Sequence, residues 1–200
     1  MVWVSVIPSS LFTQSIYIFD VVLRKHTGGF PIRSILDVGV GWGKYGLLMR
    51  EYLSQLDIML DRENWKLRVD GIEIYPNYIK KHTENIYDDI FLTDIRDFSK
   101  NPKIWTDNPR WDLILMVDII EHLSKEEGME VLNNLLPYAK WILITTPLEM
   151  EKQPIEFYHE HEEHVSVWHR GDFYPFKIDK MLKMEKFLLC MIRGNLGGVD

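Results

Sequence analysis

The seven residues Trp111-Asp112-Leu113-Ile114-Leu115-Met116-Val117 hold one charge among six apolar side chains. A strand with one wet face alternates apolar and polar residues, and this segment does not, so both of its faces must be covered. The same signature recurs in Ser34-Ile35-Leu36-Asp37-Val38, in Leu67 to Ile74, in Asp89 to Leu92, and in Trp141 to Thr145, which Pro147 closes. Between them lie stretches with helical spacing. Lys44 to about Leu56 carries Leu47, Leu48, Tyr52 and Leu56 in register, and Pro76 to Tyr87 reads as a second helix. Ser124 to Leu136 reads as a third, with Ser124 and Glu127 at the spacing of a capping box. Doubly covered strands separated by helices predict an α/β fold, a mostly parallel sheet with helices on both faces in a three-layer sandwich.

Outside this alternation, the N-terminal stretch predicts a helix. Ser9 or Ser10 would cap it, Leu11, Phe12, Ile16, Phe19, Val22 and Leu23 fall at its spacing, and Thr27-Gly28-Gly29 with Pro31 ends it. Leu53 to Lys66 would prolong the helix before it and add a polar loop, and Lys183 to Ile192 would supply two final strands. With 200 residues the chain suits one domain, 1–200: a helical cover over 1–30, a core over 34–147, and a loop with the last strands over 148–200. The net charge of −7 argues against a broad grip on extended nucleic acid, which needs a positive field. The single cysteine, Cys190, excludes an internal disulfide, and no apolar run approaches the roughly 20 residues that span a bilayer. A cytoplasmic home with no membrane contact is the expectation.

The first apolar strand runs into Asp37-Val38-Gly39-Val40-Gly41-Trp42-Gly43-Lys44-Tyr45-Gly46, where a helix begins. Glycines at such a turn let a ligand approach the backbone, and the free N–H groups of the helix start can meet it. Gly41, Gly43 and Gly46 match the dinucleotide pattern G-x-G-x-x-G. A nicotinamide oxidoreductase is therefore one reading, although the acidic Glu73 lies further on than the roughly 20 residues that pattern expects. A second frame begins at Asp37 and takes Gly39, Gly41 and Gly43. In this frame the chain resembles the class I S-adenosylmethionine-dependent methyltransferases, from about Ser34 to Thr146 and including Trp111 to Leu123 with its Glu121-His122 pair.

That resemblance implies a Rossmann-like, seven-strand-type sheet and S-adenosylmethionine as cofactor, with S-adenosylhomocysteine as product. It implies that Asp37, Gly39, Gly41 and Gly43 underlie the amino-acid portion of the cofactor. Glu73, with Ile74 beside it, would hold the ribose hydroxyls, since a carboxylate accepts two bonds from a vicinal diol. Asp94 and Ile95 would meet the adenine, and Val117 and Asp118 would lie near the reacting end. The acceptor is then an O- or N-nucleophile on a small molecule or a protein. The segment after the fourth strand, Asp118-Ile119-Ile120-Glu121, lacks the N-P-P-Y pattern of adenine and glutamine amide methylation.

Aligning the acceptor with the methyl group supplies much of the rate, and a base can add roughly 10²–10⁴-fold. His122 is the candidate base. The stretch Glu156 to His169, with His159, Glu160, His161, Glu162, Glu163, His164 and His169, reads as a solvated acidic loop. The primary reading assigns no metal. Its alternative places Asp118, Glu121 and His122 on one face of a helical turn, with His164 returning above them, a mix that suits Mg²⁺ or Mn²⁺. This looks like the small-RNA 2′-O-methyltransferases and ubiquinone-pathway O-methyltransferases, with Asp118 replacing a Glu. Trp3, Phe12, Tyr17 and Tyr45 read as core aromatics that could instead face a substrate. A scaffold that kept the fold without turnover is the non-enzymatic alternative.

Overall fold

A computed structural model describes residues 12–54, 61–149 and 163–196. Seven strands form one sheet among these residues: β1 (Ser34–Val38), β2 (Arg68–Glu73), β3 (Ile90–Leu92), β4 (Trp111–Val117), β5 (Ala139–Pro147), β6 (Ile178–Lys183) and β7 (Phe187–Arg193). Their order is β3-β2-β1-β4-β5-β7-β6. The first five are parallel, and β7 runs antiparallel to both β5 and β6.

The apolar strands are covered on both faces, as their composition requires. Ile114 and Met116 of β4 join a core with Phe98, Val131, Leu132, Leu135, Trp168 and Phe173. Leu113, Leu115 and Val117 of the same strand join a separate core with Ile18, Val22, Tyr45, Met49 and Tyr87. Two helices, α1 (Phe12–Thr27) and α2 (Lys44–Leu53), thus cover one face. Two more, α4 (Ile95–Lys100) and α5 (Lys125–Leu135), cover the other. The three-layer expectation holds. The capping box at α5 forms as the spacing predicts: Glu127 N–H donates to Ser124 Oγ, and Ser124 N–H donates to the Glu127 carboxylate.

Several boundaries differ from the sequence expectation. The helix expected over Pro76 to Tyr87 breaks into a 3₁₀ turn at Pro76–Tyr78 and a single α turn, α3 (Lys81–Glu84). Thr83 causes the break locally. Its hydroxyl accepts from Lys80 N–H and donates to Lys80 carbonyl, a side-chain loop that starts a new helix instead of continuing the old one. Helix α4 was not anticipated; Asp94 caps it by accepting from Arg96 N–H at 2.7 Å. Helix α2 stops at Leu53, with Ser54 N–H closing onto Arg50 carbonyl, and a 3₁₀ turn follows at Arg62–Asn64. The first of the two final strands begins at Ile178, earlier than expected. Helix α1 ends at Thr27, and Gly29 takes φ 96° just beyond it. The candidate caps Ser9 and Ser10 lie outside the described residues, as do Trp3, His159, Glu160, His161 and Glu162.

Candidate functional site

Strand order reverses between β1 and β4, and the carboxyl ends of the strands at such a switch are the place where open α/β sheets bind ligands. Register brings the ends level. Val38 pairs with Ile72 and with Met116, and Val117 pairs with Thr145. The residues that follow, Gly39, Glu73, Asp118 and Thr146, therefore share one edge of the sheet.

The glycine turn is built there. Gly39 N–H and Val40 N–H both donate to Ile72 carbonyl, at 2.9 and 3.0 Å. Gly39, Gly41 and Gly43 take φ of 77°, 51° and 82°, the left-handed region that side chains resist. A Cβ at Gly39 would also overlap the Ile119 side chain. Glu73 ties the turn to β2: its Oε2 accepts from Gly41 N–H at 2.8 Å and its Oε1 from Tyr75 N–H at 2.9 Å. Ile74 beside it is half-buried.

Asp37 lies beneath this turn. It is 1 % exposed, and its Oδ2 accepts from the Tyr87 hydroxyl at 2.6 Å. Tyr87 in turn accepts from Gly46 N–H at 3.2 Å. Burial, with a contribution from the Glu73 charge, pushes the Asp37 carboxyl up to about 7, against the pull of the Tyr87 hydroxyl. A Cβ at Gly46 would overlap the Tyr87 ring. Gly46 thus makes the third glycine of the nominal dinucleotide pattern by packing against a tyrosine, independently of any ligand.

The other expected positions have contacts of their own. Asp94 is half-buried, and its carboxylate meets the Arg96 guanidinium and Arg96 N–H. Arg96 also reaches Glu127 at 2.9 Å, tying α4 to α5. Ile95 is 7 % exposed and belongs to the core under α4. Val117 is buried in the α1–α2 core. Tyr45 is buried there too, 3.3 Å from Ser15 Oγ. Tyr17 packs on Phe187 with ring centres 6.1 Å apart.

Beyond β4 the expected helical turn is a 3₁₀ turn, Ile120–His122. Three of the four alternative metal ligands converge: Glu121, His122 and His164 offer atoms within 4.8 Å of one another. Asp118 is absent from this group, with its carboxylate held elsewhere by Gln14 and Thr145. The segment carrying His164 is held in place by backbone. Val165 N–H and Ser166 N–H donate to Glu121 carbonyl, and the Trp168 indole donates to Ile120 carbonyl at 3.0 Å. Nδ1 of His122 lies 3.1 Å from Glu163 carbonyl, which can only accept. That nitrogen is therefore the donor, and in the neutral ring Nε2 is the basic one. Glu121 is 1 % exposed, and among the described residues neither carboxylate oxygen takes part in a hydrogen bond of normal geometry, with only the Thr146 hydroxyl and its own N–H near enough to favour its charge. Burial and the Asp118 charge raise its carboxyl well above the ordinary range. A buried carboxylate in that state favours a proton or a cation beside it.

Two features escaped sequence reasoning. Gln14 of α1 reaches the end of β4, and Tyr87 supports the glycine turn from below. Neither sits in a recognisable motif. Among the described residues no helix is long and apolar enough to cross a membrane.

No protein-family model and no curated protein matches the chain. Solved structures do match. The PH0226 protein of Pyrococcus horikoshii is 17% identical with a TM-score of 0.61, over 94% of this chain and 93% of that one. The N-methyltransferase NodS of Bradyrhizobium japonicum, in complex with S-adenosylhomocysteine, is 14% identical with a TM-score of 0.57, over 90% of this chain and 86% of that one. The magnesium protoporphyrin IX methyltransferase of Synechocystis, with bound S-adenosylmethionine, is 13% identical with a TM-score of 0.55, over 91% and 80%. At these identities the likeness is one of architecture: the chain has the Rossmann-like fold of the class I S-adenosylmethionine-dependent methyltransferases.

Proposed function

We propose that the protein transfers a methyl group from S-adenosylmethionine to an O- or N-nucleophile of a small molecule or a protein. One observation carries this reading. A turn with three glycines at positive φ opens a helix at the strand-order switch, and its middle N–H is tied to an acidic residue at the end of β2. Gly39, Gly41 and Gly43 would admit the amino-acid portion of the cofactor against the backbone. Glu73 would exchange a backbone partner for the ribose hydroxyls, and Asp94 and Ile95 would bound the adenine end.

When bound, the cofactor would supply an electrophilic sulfonium methyl for the acceptor's lone pair, with the C–S electron pair left on sulfur. The chain's task is to align the acceptor, exclude water and receive the displaced proton. His122 is assigned the last role, which its neutral form would fill through Nε2.

A second reading has its own support. The buried carboxylate of Glu121, with no hydrogen bond of normal geometry among the described residues, lies beside His122 and His164 and fits a divalent ion. Two imidazoles and one carboxylate suit Mn²⁺ or Zn²⁺ better than Mg²⁺. Such an ion would supply Lewis acidity toward an acceptor oxygen and would engage His122 as a ligand, so His122 could not then serve as base through the same nitrogen.

Calorimetric titration with S-adenosylmethionine, S-adenosylhomocysteine and NAD tests the reading. Micromolar binding of the first two and none of NAD is expected. Binding of NAD alone would replace it with hydride transfer, and no binding of any of the three would leave a scaffold. Repeating the titrations with Mn²⁺ separates the two methyltransferase readings.

A further inference from the structure

Helix α1 is apolar-inward along most of its length, with Ile18, Val21 and Val22 in the core. Near its start the pattern inverts. Gln14 and Ser15 are buried, at 2 % and 5 % exposure, while Ile16 and Tyr17 are 53 % and 36 % exposed. A polar pair is turned inward here because it meets polar groups at the end of the sheet. Gln14 Nε2 donates to Asp118 Oδ1 at 2.6 Å and to Thr145 Oγ1 at 2.5 Å. Thr145 Oγ1 donates to the same Asp118 oxygen at 3.1 Å. Gln14 thus meets, at one corner of the sheet's end, two partners that lie 104 and 131 residues away in the chain.

Asp118 is the one non-glycine residue at positive φ, 54°, among the described residues. It follows directly on β4, and its N–H donates to Thr145 carbonyl. A residue held in a sparsely populated conformation by bonds to both backbone and side chain is positioned for something beyond the turn itself. Only Oδ1 accepts hydrogen bonds from described residues; Oδ2 accepts none. Lys44 of α2 attracts this carboxylate and Glu121 repels it.

We propose that Gln14 is a positioning residue of the ligand site, fixing Asp118 through Oδ1 so that Oδ2 meets a cationic group of the methionine end of S-adenosylmethionine. The proposal rests on the reading above, and it makes the first turns of α1 part of the site's machinery. Gln14 touches no reacting atom and acts through Asp118.

A double-mutant cycle on S-adenosylmethionine affinity tests it, using wild type, Gln14→Leu, Asp118→Asn and the double variant. Leu keeps the bulk of Gln and donates nothing. Asn tolerates positive φ, so Asp118→Asn removes charge without straining the turn. Each single change is expected to weaken binding about tenfold or more, as for a hydrogen bond to a charged group. The double variant is expected to bind within about twofold of Asp118→Asn, because the two act as one unit. Melting temperatures report folding separately. Should Gln14→Leu fail to fold, Gln14→Met keeps the length, donates nothing and adds no charge beside Asp118, and is expected to show the same non-additivity. Unchanged affinity in Gln14→Leu, or losses that multiply in the double variant, would overturn the proposal and reduce Gln14 to packing. Undiminished binding by Asp118→Asn would overturn it while the methyltransferase reading stands. If wild type binds neither S-adenosylmethionine nor S-adenosylhomocysteine, that reading falls and this proposal with it.

Discussion

Replacing Tyr87 by Phe removes one oxygen from beneath the glycine turn. That oxygen donates to the buried Asp37 carboxyl and accepts from Gly46 N–H. Both partners are left in a dry environment, since Asp37 and Tyr87 are each 1 % exposed. Each unsatisfied group costs about 1–3 kcal/mol, so the expected loss is about 2–6 kcal/mol, a large share of a typical domain's stability. Its pH dependence has a definite sign. The Asp37 carboxyl titrates at about 7 in the folded protein, chiefly through burial, against an ordinary value of 3.8. The unfolded chain therefore releases this proton at lower pH than the folded chain. Asp37 contributes a stability decline as pH rises from about 4 to about 7, amounting to about 4 kcal/mol, and no further decline above that. The Tyr87 hydroxyl pulls the Asp37 value down, so Tyr87→Phe pushes it higher and extends the decline past pH 7. The deficit of the variant should be larger at pH 8.5 than at pH 5. Urea unfolding at both values measures it, with an expected midpoint shift of about 1 M or more at pH 8.5. A shift below about 0.3 M, or a deficit that shrinks with rising pH, would refute the buried Asp37–Tyr87 account.

Three further outcomes follow from the same geometry. Glu73→Ala removes the acceptor of Gly41 N–H and should lower affinity for S-adenosylmethionine at least about tenfold with the fold retained; calorimetry and circular dichroism check this together. Glu121→Gln should raise the melting temperature of metal-free protein at pH 8, because it removes a buried carboxyl whose raised value makes stability fall as pH climbs above the ordinary carboxylate range. Added Mn²⁺ should then stabilise wild type and not the variant, if Glu121 is a ligand. Trp168→Ala should cost about 3–5 kcal/mol by denaturant unfolding, since the indole is fully buried and holds the His164 segment onto the turn after β4.

What could be read in advance was what composition and spacing encode. Trp111 to Val117 announces a doubly covered strand, Ser124 with Glu127 announces a helix start, and Gly39, Gly41 and Gly43 announce a turn that side chains resist. What escaped was decided by contacts between distant residues or by one local competition. Thr83 splits a segment whose apolar spacing suits a continuous helix. Asp94, expected at the adenine, also caps α4 and pairs with Arg96, and a six-residue helix carries too little periodicity to be seen. Asp118, Glu121 and His122 share one face of an ideal helical turn, but a 3₁₀ turn and a positive φ separate Asp118 from the other two. Gln14 is polar within an apolar helix pattern, and only the fold shows that it faces the end of β4.

The central claim is that S-adenosylmethionine sits on the glycine turn at the β1–β4 switch. Following backbone amide NMR signals during titration with S-adenosylhomocysteine tests this residue by residue. Saturable shifts should concentrate at Gly39, Gly41, Gly43, Glu73 and Asp118, with little change at Asn108, Arg110 and Lys140 near the opposite ends of the strands. Shifts confined to that opposite end, or none at a millimolar excess of ligand, would contradict the account.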